Sequence, residues 1–226
     1  MDKKDFKIYI VGAGVSGLVA AQVLENQGYQ PVILEASDRA GGRVKTDIKK
    51  GFQLDHGFQV LLSSYPAAQK YLNFKALKLQ ELKPGAVIFN NGKQQIIGDP
   101  LRDISTLFST LFSGIGTLSD KFKIFQLNLK LKNKSIEAIF SSDEISTKAY
   151  LQEFGFSSQI ITQFFTPFFT GIFLENELTT SSRMFEFVFK MFGEGLAVLP
   201  KGGIEEISKQ LVSNLKHTTF QYNTQV

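Results

Sequence analysis

Three glycines near the amino terminus have the spacing of a phosphate-binding loop. Gly12, Gly14 and Gly17 form a GxGxxG pattern that follows a short β-branched run, Lys7 to Val11. In such a loop the first glycine permits a tight turn, the second lets a pyrophosphate approach the backbone, and the third allows close helix packing. The N-terminus of the following helix complements an anion, and the Ser16 hydroxyl could add a donor. The pattern predicts a dinucleotide site, with a ligand-free glycine turn as the alternative.

An acidic residue follows this loop at the distance expected for ribose recognition. Glu35 comes roughly 20 residues after the loop, at the end of a second apolar run, Pro31 to Leu34. A carboxylate there can accept hydrogen bonds from both hydroxyls of an adenosine ribose and would repel a 2′-phosphate. This position favours FAD or NAD over NADP, and the alternative is an ordinary surface glutamate.

The residues around the loop predict a strand, a helix and a second strand. Apolar residues from Leu18 to Leu24 recur at helical spacing, and Gly28 is suited to cap the helix. With the runs Lys7 to Val11 and Pro31 to Leu34, they form a βαβ unit of about 30 residues. Such a unit implies a parallel sheet with a right-handed crossover.

The segment after the second strand separates FAD from NAD. From Glu35 to Arg43 the sequence has the form ExxxRxGGR. It resembles the extended fingerprint of the flavin-containing amine oxidases, protoporphyrinogen oxidases and phytoene desaturases, in which the GGR loop supports the diphosphate and ribityl end of FAD. Gly41 and Gly42 expose backbone N–H groups, and Arg43 offers a fork for phosphate oxygens. Arg39 is expected to form a structural ion pair or loop hydrogen bonds, with phosphate contact as the lesser alternative.

A second segment of resemblance follows Asp55 and is similar to the DxG stretch that passes beside the isoalloxazine ring in this superfamily. The resemblance implies that Gly57, Phe58 and Gln59 lie near the ring, where a backbone N–H or the amide could tune the flavin. Asp55 is expected to stabilise the turn as an acceptor rather than to act as acid or base. His56 has no visible partner in the sequence, so we assign it no catalytic role.

A third and weaker match is the stretch from Leu199 to Ile204, which resembles the PxGG turn where the chain returns to the FAD domain. A strand is predicted after it, from Thr219 to Tyr222. In relatives a valine at the place of Val226 packs on adenine, and a plain hydrophobic strand residue is the alternative. The resemblance and the glycine pattern together predict these cofactor-binding residues: Gly12, Gly14, Val15, Ser16, Gly17, Glu35, Ala36, Gly41, Gly42, Arg43, Gly57, Phe58, Gln59 and Val226.

The middle of the chain is expected to be mostly helical. Asn90, Asn91 and Gly92 first predict the turn of a β-hairpin, because Asn-Gly supplies the positive φ angles that such turns need. Half of the 22 Phe residues then lie between Phe154 and Phe192, and the stretch from Phe164 to Gly171 is expected to be core rather than pocket lining. Helical spacing recurs from Leu101 to Leu111, from Lys121 to Lys134, and near residues 145–155, 157–166, 181–192 and 204–215.

The predicted fold class is α/β, with two domains. The resemblance implies a Rossmann-like, GR2-type FAD-binding domain with a parallel sheet, formed by residues 1–75 and 197–226. An inserted α+β, mostly helical substrate domain is expected over residues 76–196. Both domains are expected to be incomplete, because family members continue further and add a last FAD-binding segment. Exposed sheet edges or core surface would then make the chain poorly soluble.

Composition narrows the classes of partner. The chain has no Cys, so it contains no disulfide, thiolate metal site or cysteine nucleophile, and we predict no metal. A net charge of +4 spread along 226 residues is only weak evidence for binding to a polyanion, so no nucleic-acid partner is expected. No apolar run approaches the ~20 residues of a membrane span, so we expect no transmembrane helix, and we expect no signal peptide before the first strand. A cytoplasmic location is expected.

The lysine-rich helix leaves open whether the protein binds a membrane surface. Lys121, Lys123, Lys130, Lys132 and Lys134 alternate with apolar residues. We expect a solvated lysine face over a packed apolar face, and the alternative is binding to a membrane surface, which would make the protein peripheral. The sequence does not determine the oligomeric state.

The resemblance implies an FAD-dependent oxidoreductase that takes a hydride from a C–N or C–C bond of an apolar or amine small molecule. The flavin does the chemistry, so no catalytic side chain need be assigned. An NAD-dependent dehydrogenase is a second hypothesis, against which the GGR and DxG segments argue. A third is a redox-silent flavin-binding or membrane-associated interaction protein, or a truncated inactive chain.

Overall fold

A computed structural model describes residues 2–57, 60–90, 92–98 and 114–226. The chain forms two compact units. The first, which we call the sheet unit, comprises Met1–Glu81 and Val198–Val226. The second, which we call the helical unit, comprises Leu82–Ala197. The sheet unit is therefore discontinuous in sequence, with the helical unit inserted between its two parts.

A three-stranded parallel sheet is the centre of the sheet unit. Ile33 of the middle strand is fully buried and is in register with Ile10 and Phe220 of the outer strands. This sheet, of order β1-β2-β10, confirms the α/β fold and the predicted βαβ unit. Its strands and the connecting helix are β1 Tyr9–Val11, α1 Val15–Asn26, β2 Val32–Leu34 and β10 Thr219–Gln221.

A β-hairpin that the sequence pattern did not predict follows the GGR loop. Strands β3 Thr46–Lys49 and β4 Phe52–Asp55 pair antiparallel across a two-residue turn. Both turn residues, Lys50 and Gly51, have positive φ angles, of 51° and 83°. Such turns favour Asn-Gly or Gly-Gly, so a lysine in the first position hid the hairpin from the sequence pattern.

The remaining elements of the sheet unit include a second small sheet, of order β5-β9-β6. β6 and β9 pair antiparallel, so β9, which follows the helical unit in sequence, pairs with β6, which precedes that unit. The elements are β5 Leu61–Leu62, α2 Pro66–Tyr71, α3 Phe74–Leu77, β6 Leu79–Glu81, β9 Ala197–Pro200 and α10 Glu205–Asn214. Helix α10 packs against α1, close to the glycine loop.

The helical unit begins with the hairpin that the Asn-Gly turn predicts, and the helices near 145–155, 157–166 and 181–192 are also present. The helix expected from Leu101 to Leu111 lies outside the described residues. The elements are β7 Gly85–Asn90, β8 Lys93–Gly98, α4 Leu118–Lys132, α5 Ile136–Phe140, α6 Thr147–Glu153, α7 Ser158–Ile160, a π-helical turn Ile161–Phe165, α8 Thr166–Phe173 and α9 Ser182–Glu194.

Phenylalanine side chains form the core of the helical unit. Phe165, Phe169 and Phe185 are each fully buried, and the ring centroids of Phe169 and Phe185 are 4.9 Å apart. The expectation that the Phe-rich stretch packs as core is confirmed for Phe165 and Phe169. Aromatic rings of this size bury a large apolar area each, and they pack with buried aliphatic residues such as Leu127 and Leu151.

The lysine-rich helix α4 differs from expectation because it has two apolar faces. One face is buried and carries Leu127 and Leu131. The opposite face carries Leu118, Phe122, Phe125 and Leu129 at spacings of four, three and four residues, and these side chains are 73%, 61%, 41% and 47% exposed. The predicted packed apolar face is present, but the second, exposed apolar face was not predicted. Among the described helices, none is both long and apolar enough to cross a membrane.

Candidate functional site

The glycine loop has the geometry that its sequence predicts. Gly12 has a φ angle of 93°, and a Cβ added to Gly17 would lie 2.1 Å from the Gly12 carbonyl oxygen and 3.3 Å from the Ile10 side chain. A Cβ on Gly14 would meet no atom within 4 Å. Gly14 is also the N-cap of α1, and no side chain caps the helix there. The helix start therefore presents open space, into which its N–H groups point.

Glu35 is part of this loop's framework. Its carboxylate accepts the Ala13 N–H at 2.7 Å and both the N–H and the hydroxyl of Ser37, at 2.9 and 2.7 Å. Burial alone would raise the pKa of Glu35, but these hydrogen bonds, with the charge of Lys45, lower it below its ordinary value. The carboxylate is therefore a charged acceptor that orients the glycine loop. Its predicted contact with a ribose stays a prediction.

The GGR loop lies directly against the glycine loop. The Gly41 N–H donates to the Ala13 carbonyl oxygen at 2.9 Å, and a Cβ on Gly42 would be 3.3 Å from the Gly14 Cα. Gly41 and Gly42 have φ angles of 128° and 56°, which other residues rarely adopt. The Arg43 side chain is exposed, and within residues 2–57, 60–90, 92–98 and 114–226 it has no hydrogen-bond or ion-pair partner. The glycine loop, Gly12 to Gly17, and the GGR loop, Gly41 to Arg43, thus form one surface, which we call the cradle.

The remaining residues predicted near the diphosphate lie at the cradle's rim. Ser16 is exposed in the first turn of α1, next to the half-buried Val15. Ala36 is exposed directly after Glu35. Their positions leave all three available to a ligand, and their roles stay predictions.

Arg39 forms the structural ion pair that the sequence suggested. Its Nε is 3.0 Å from Glu205 Oε1, and its Nη2 is 3.0 Å from Asp47 Oδ1. These hydrogen bonds raise the pKa of Arg39 further above its ordinary value, so the guanidinium is permanently charged. Arg39 therefore does not belong to the exposed surface of the cradle but links it to β3 and to α10.

Asp55 is a hydrogen-bond acceptor, as predicted. Its Oδ1 accepts the Thr46 hydroxyl at 2.5 Å and the Ile204 N–H at 3.0 Å. Thr46 also accepts the Glu205 N–H at 3.0 Å. The predicted PxGG turn packs tightly against Thr46 and Asp55. A Cβ on Gly203 would lie 2.5 Å from the Thr46 hydroxyl oxygen and 3.0 Å from Asp55 Oδ1, so only glycine fits there. The turn is thereby fixed on the β3–β4 hairpin.

His56 has a partner that the sequence did not reveal. Its Nε2 is 3.0 Å from Asp47 Oδ2, and its N–H donates to the Lys45 carbonyl oxygen at 2.8 Å. The hydrogen bond from His56, followed by that from Arg39, lowers the pKa of Asp47. Gly57 follows with a φ angle of 57°. Phe58 and Gln59, predicted near the flavin ring, lie outside the described residues.

Val226 does not lie in a strand. Strand β10 ends at Gln221, and the Val226 side chain is 80% exposed. The alternative of a hydrophobic strand residue was therefore wrong, while its contact with adenine stays a prediction. Just before it, the Thr224 N–H donates to the Glu35 carbonyl oxygen at 2.9 Å, so this segment runs beside the predicted ribose site.

Three residues of this region escaped the sequence reasoning: Thr46, Asp47 and Glu205. Thr46 and Asp47 follow the GGR loop closely, but they looked like ordinary polar loop residues. The Glu205 carboxylate accepts the Thr46 N–H at 3.4 Å across 159 positions of sequence. No local spacing could connect them, and only a search for charged residues around the PxGG turn would have singled out Glu205.

Comparisons with known proteins place this arrangement in a family. The model of the family described as flavin containing amine oxidoreductase matches residues 15–226. An L-amino acid oxidase from Bothrops pictus is 46% identical over 77 residues, 33% of this chain and 16% of that protein. Protoporphyrinogen oxidase 2 from Arabidopsis thaliana is 26% identical over 167 residues, 73% of this chain and 32% of that protein.

Solved structures agree on the fold. An oxidoreductase from Methanosarcina mazei aligns with a TM-score of 0.69 and 19% identity, over 96% of this chain and 51% of that one. Putrescine oxidase bound to putrescine aligns with a TM-score of 0.63 and 20% identity, over 95% and 50%. The chain thus spans about half the length of these structures and a third or less of the curated relatives. By its match to the family model, the chain belongs to the flavin containing amine oxidoreductases, an enzyme family whose cofactor is FAD.

Proposed function

We propose that this chain holds the diphosphate and adenosine end of FAD in an oxidoreductase that oxidises a small amine or a mainly apolar molecule. The bond oxidised would be C–N or C–C, with hydride transfer to the flavin. The chain supplies the cofactor-binding part of that activity, since it spans about half of its solved relatives.

The cradle is the observation that supports this proposal. Gly14 has open space where a side chain would point, and Gly42 approaches it without a side chain of its own. The start of α1, which no side chain caps, and the exposed guanidinium of Arg43 add positive charge around this space. A diphosphate with two negative charges matches this arrangement in charge and hydrogen-bonding character.

The chain's residues would bind and orient the cofactor rather than react. Bound flavin accepts a hydride equivalent from the substrate. The Arg43 fork would hold phosphate oxygens, and the N–H groups at the start of α1 would donate to them. Glu35, kept charged by Ser37 and Ala13, would direct its remaining acceptor capacity at the ribose hydroxyls.

Amine oxidation is the first substrate class to test. The similar proteins include an L-amino acid oxidase and putrescine oxidase, whose names describe oxidation of amine compounds. Protoporphyrinogen oxidase 2 keeps the C–C alternative open. The substrate itself would be recognised by walls outside the cradle, so these relatives guide the choice of compounds only.

Flavin binding tests the proposal directly. We expect the purified chain to take up FAD with the absorbance of oxidised flavin, and Gly14→Val or Arg43→Ala to weaken binding by about tenfold or more. Gly171→Val and Arg183→Ala are matched controls in the helical unit, because Gly171 also has no atom within 4 Å of an added Cβ. Equal flavin affinity in the parent and both cradle variants would refute the proposed site.

Bleaching of the bound flavin tests the reaction. We expect loss of its absorbance under anaerobic conditions when a substrate of the right class is added. Amines and polyenes form the two arms of the experiment. Bound flavin that neither class reduces would favour the redox-silent alternative.

A second candidate function, contact with a membrane surface, rests on α4. Four large apolar side chains line its exposed face: Leu118, Phe122, Phe125 and Leu129. At 100° per residue, Lys121 and Lys132 lie along one border of this face. The only acidic residue of the helix, Asp120, is buried on the opposite side. A helix of this kind inserts its apolar face between lipid headgroups and is attracted to anionic lipids.

Vesicle flotation measures this contact. We expect binding to phosphatidylcholine vesicles that contain phosphatidylglycerol, and a loss of about tenfold on replacing Phe122 and Phe125 with Ser. Phe52→Ser is the matched control, since Phe52 is 72% exposed on the sheet unit. The contact would be disproved if the double variant bound as well as the parent.

A further inference from the structure

Four polar side chains are linked in series from the start of α10 to the end of the β3–β4 hairpin. Glu205 contacts Arg39 at 3.0 Å, Arg39 contacts Asp47 at 3.0 Å, and Asp47 contacts His56 at 3.0 Å. Each link uses a different atom of the shared side chain, so all three contacts exist together. The Glu205 carboxylate is the most buried member, with its side chain 10% exposed.

These four residues come from three parts of the sequence: the segment before the GGR loop, the β3–β4 hairpin with the residue after it, and the start of α10. Arg39 lies in the segment that leads into the GGR loop, Asp47 in β3 and His56 directly before Gly57. Glu205 begins α10, and its contact with Arg39 spans 166 positions. These contacts thus link the ExxxRxGGR segment, the DxG segment and the helix that follows the PxGG turn.

Besides this anchor, the GGR loop is held by backbone hydrogen bonds and by two side-chain hydrogen bonds, from the Ser208 hydroxyl to the Val44 carbonyl oxygen at 3.3 Å and from the Ser37 hydroxyl to the Arg39 carbonyl oxygen at 2.9 Å. Gly41 makes one backbone hydrogen bond to Ala13 and one reverse-turn bond from Val44. Its φ angle of 128° is accessible to glycine at no steric cost, but glycine is equally free to leave it. A segment with two adjacent glycines needs an outside contact to keep its N–H groups directed at a ligand.

We propose that Arg39 is a positioning residue of the FAD cradle, which it holds through Glu205 on one side and through Asp47 and His56 on the other. This inference rests on the proposed function for the identity of the ligand. The planar fork of arginine serves both carboxylates at once, which the single ammonium group of lysine cannot do in the same geometry. Loss of the fork frees the GGR loop together with His56 and Gly57, although they are separate in sequence.

Hydrogen exchange on the cofactor-free chain tests the positioning role without any flavin. We expect Arg39→Gln to speed exchange of the Gly41 and His56 amides by about tenfold or more, with the β1–β2 amides little changed. Arg39→Lys should restore part of the protection, because it keeps one ion pair. Arg183→Gln is the matched control, since Arg183 pairs with Glu144 at 3.5 Å in the helical unit.

Flavin affinity gives the second readout. We expect Arg39→Gln and Asp47→Asn to weaken FAD binding by about tenfold, with Arg39→Lys in between and the Arg183→Gln control unchanged. A parent chain that binds no FAD would refute the proposed function, and the exchange experiment would still decide on the positioning role. Unchanged exchange at Gly41 and His56 in Arg39→Gln overturns that role, whatever the flavin measurements give.

Discussion

The two units of this protein are stabilised in different ways. In the sheet unit, glycines, backbone hydrogen bonds and the Arg39 ion pairs hold the cradle, and its strands are two to four residues long. In the helical unit, fully buried rings such as Phe165 and Phe185 form a continuous aromatic core. The first arrangement fixes the orientation of backbone groups, while the second fills space. Conformational precision and packing density are thus supplied by separate parts of the chain.

Helix starts show a related contrast between α1 and four helices of the helical unit. Four helices of the helical unit, α4 to α7, begin at Thr117, Ser135, Ser146 and Ser157, and each of these side chains accepts an N–H of its own helix. Helix α1 begins at Gly14, which has no side chain to do so. A capped start satisfies its own donors, whereas the start of α1 leaves them for another molecule.

The largest effect is expected from a cavity in the aromatic core. Phe185→Ala removes a fully buried ring that contacts Phe165 and Phe169, and should lower the free energy of unfolding by about 3–5 kcal/mol. Denaturant unfolding measures this. Phe122→Ala is the control, because Phe122 is 61% exposed, and it should change stability far less. Equal losses of unfolding free energy in the two variants would mean that the aromatic core does not stabilise the helical unit.

Next in size is a pair of alanine substitutions in the glycine loop. Gly17→Ala places a methyl group 2.1 Å from the Gly12 carbonyl oxygen and should destabilise the chain by about 1–3 kcal/mol. Gly14→Ala meets no atom, and the Gly14 φ angle of −70° suits alanine, so stability should stay within about 0.5 kcal/mol. Flavin affinity should fall in both variants. If Gly14→Ala bound FAD normally, the open space at Gly14 would not be a ligand site.

A buried carboxylate makes the helical unit sensitive to acid. Burial would raise the pKa of Asp120, but hydrogen bonds from the hydroxyl and N–H of Ser157 and from Thr117 lower it from 3.8 to about 2. A lowered pKa in the folded state stabilises the fold above pH 3.8, and this contribution disappears as the pH falls towards 2. Its size is about 2 kcal/mol.

The replacement Asp120→Asn isolates that contribution. We expect it to cost about 2 kcal/mol at neutral pH, and the difference from the parent to shrink between pH 4 and pH 2. Urea unfolding at a series of pH values follows the difference. Asp143→Asn, at an exposed position, is the control. A difference that stayed constant with pH would assign the loss to packing rather than to charge.

The smallest effect is expected at a helix cap. Ser135→Ala removes the side chain that accepts the Ala138 N–H at 3.1 Å and should cost about 1 kcal/mol. Thermal unfolding resolves a change of this size. Ser16→Ala is the contrasting variant, since Ser16 is exposed and no side chain caps α1, so the stability of the free chain should hardly change. A comparable loss at Ser16 would remove the contrast between capped and open helix starts.

Local geometry is what the sequence revealed well. The βαβ unit, the glycine loop and the hairpin around Asn90 and Gly92 follow from short-range spacing and from the φ angles that glycine allows. The β3–β4 hairpin escaped because Lys50 occupies a position where φ is positive, which lysine rarely adopts. The Arg39 ion pair was foreseen, but its partner Glu205 was not, since no periodicity relates residues so far apart.

Packing between elements was harder to foresee. Helix α4 has apolar residues on opposite sides, and composition alone does not tell which side contacts the core. Leu127 and Leu131 are buried because they meet the aromatic cluster, while Phe122 has no such neighbour among the described residues. The same limit applies to His56, whose partner Asp47 lies on a strand that the pattern did not show.

The position of β10 has a consequence for the order in which the protein is made. Residues 219–221 complete the sheet beside β2, yet they leave the ribosome after the entire helical unit. The emerging β1 and β2 strands must wait for about 185 further residues to be synthesised, which takes on the order of ten seconds or more. During that time the edge of β2 is unpaired, whereas the inserted helices can already pack locally. We therefore expect chaperones that shield nascent strand edges to raise the yield of this protein.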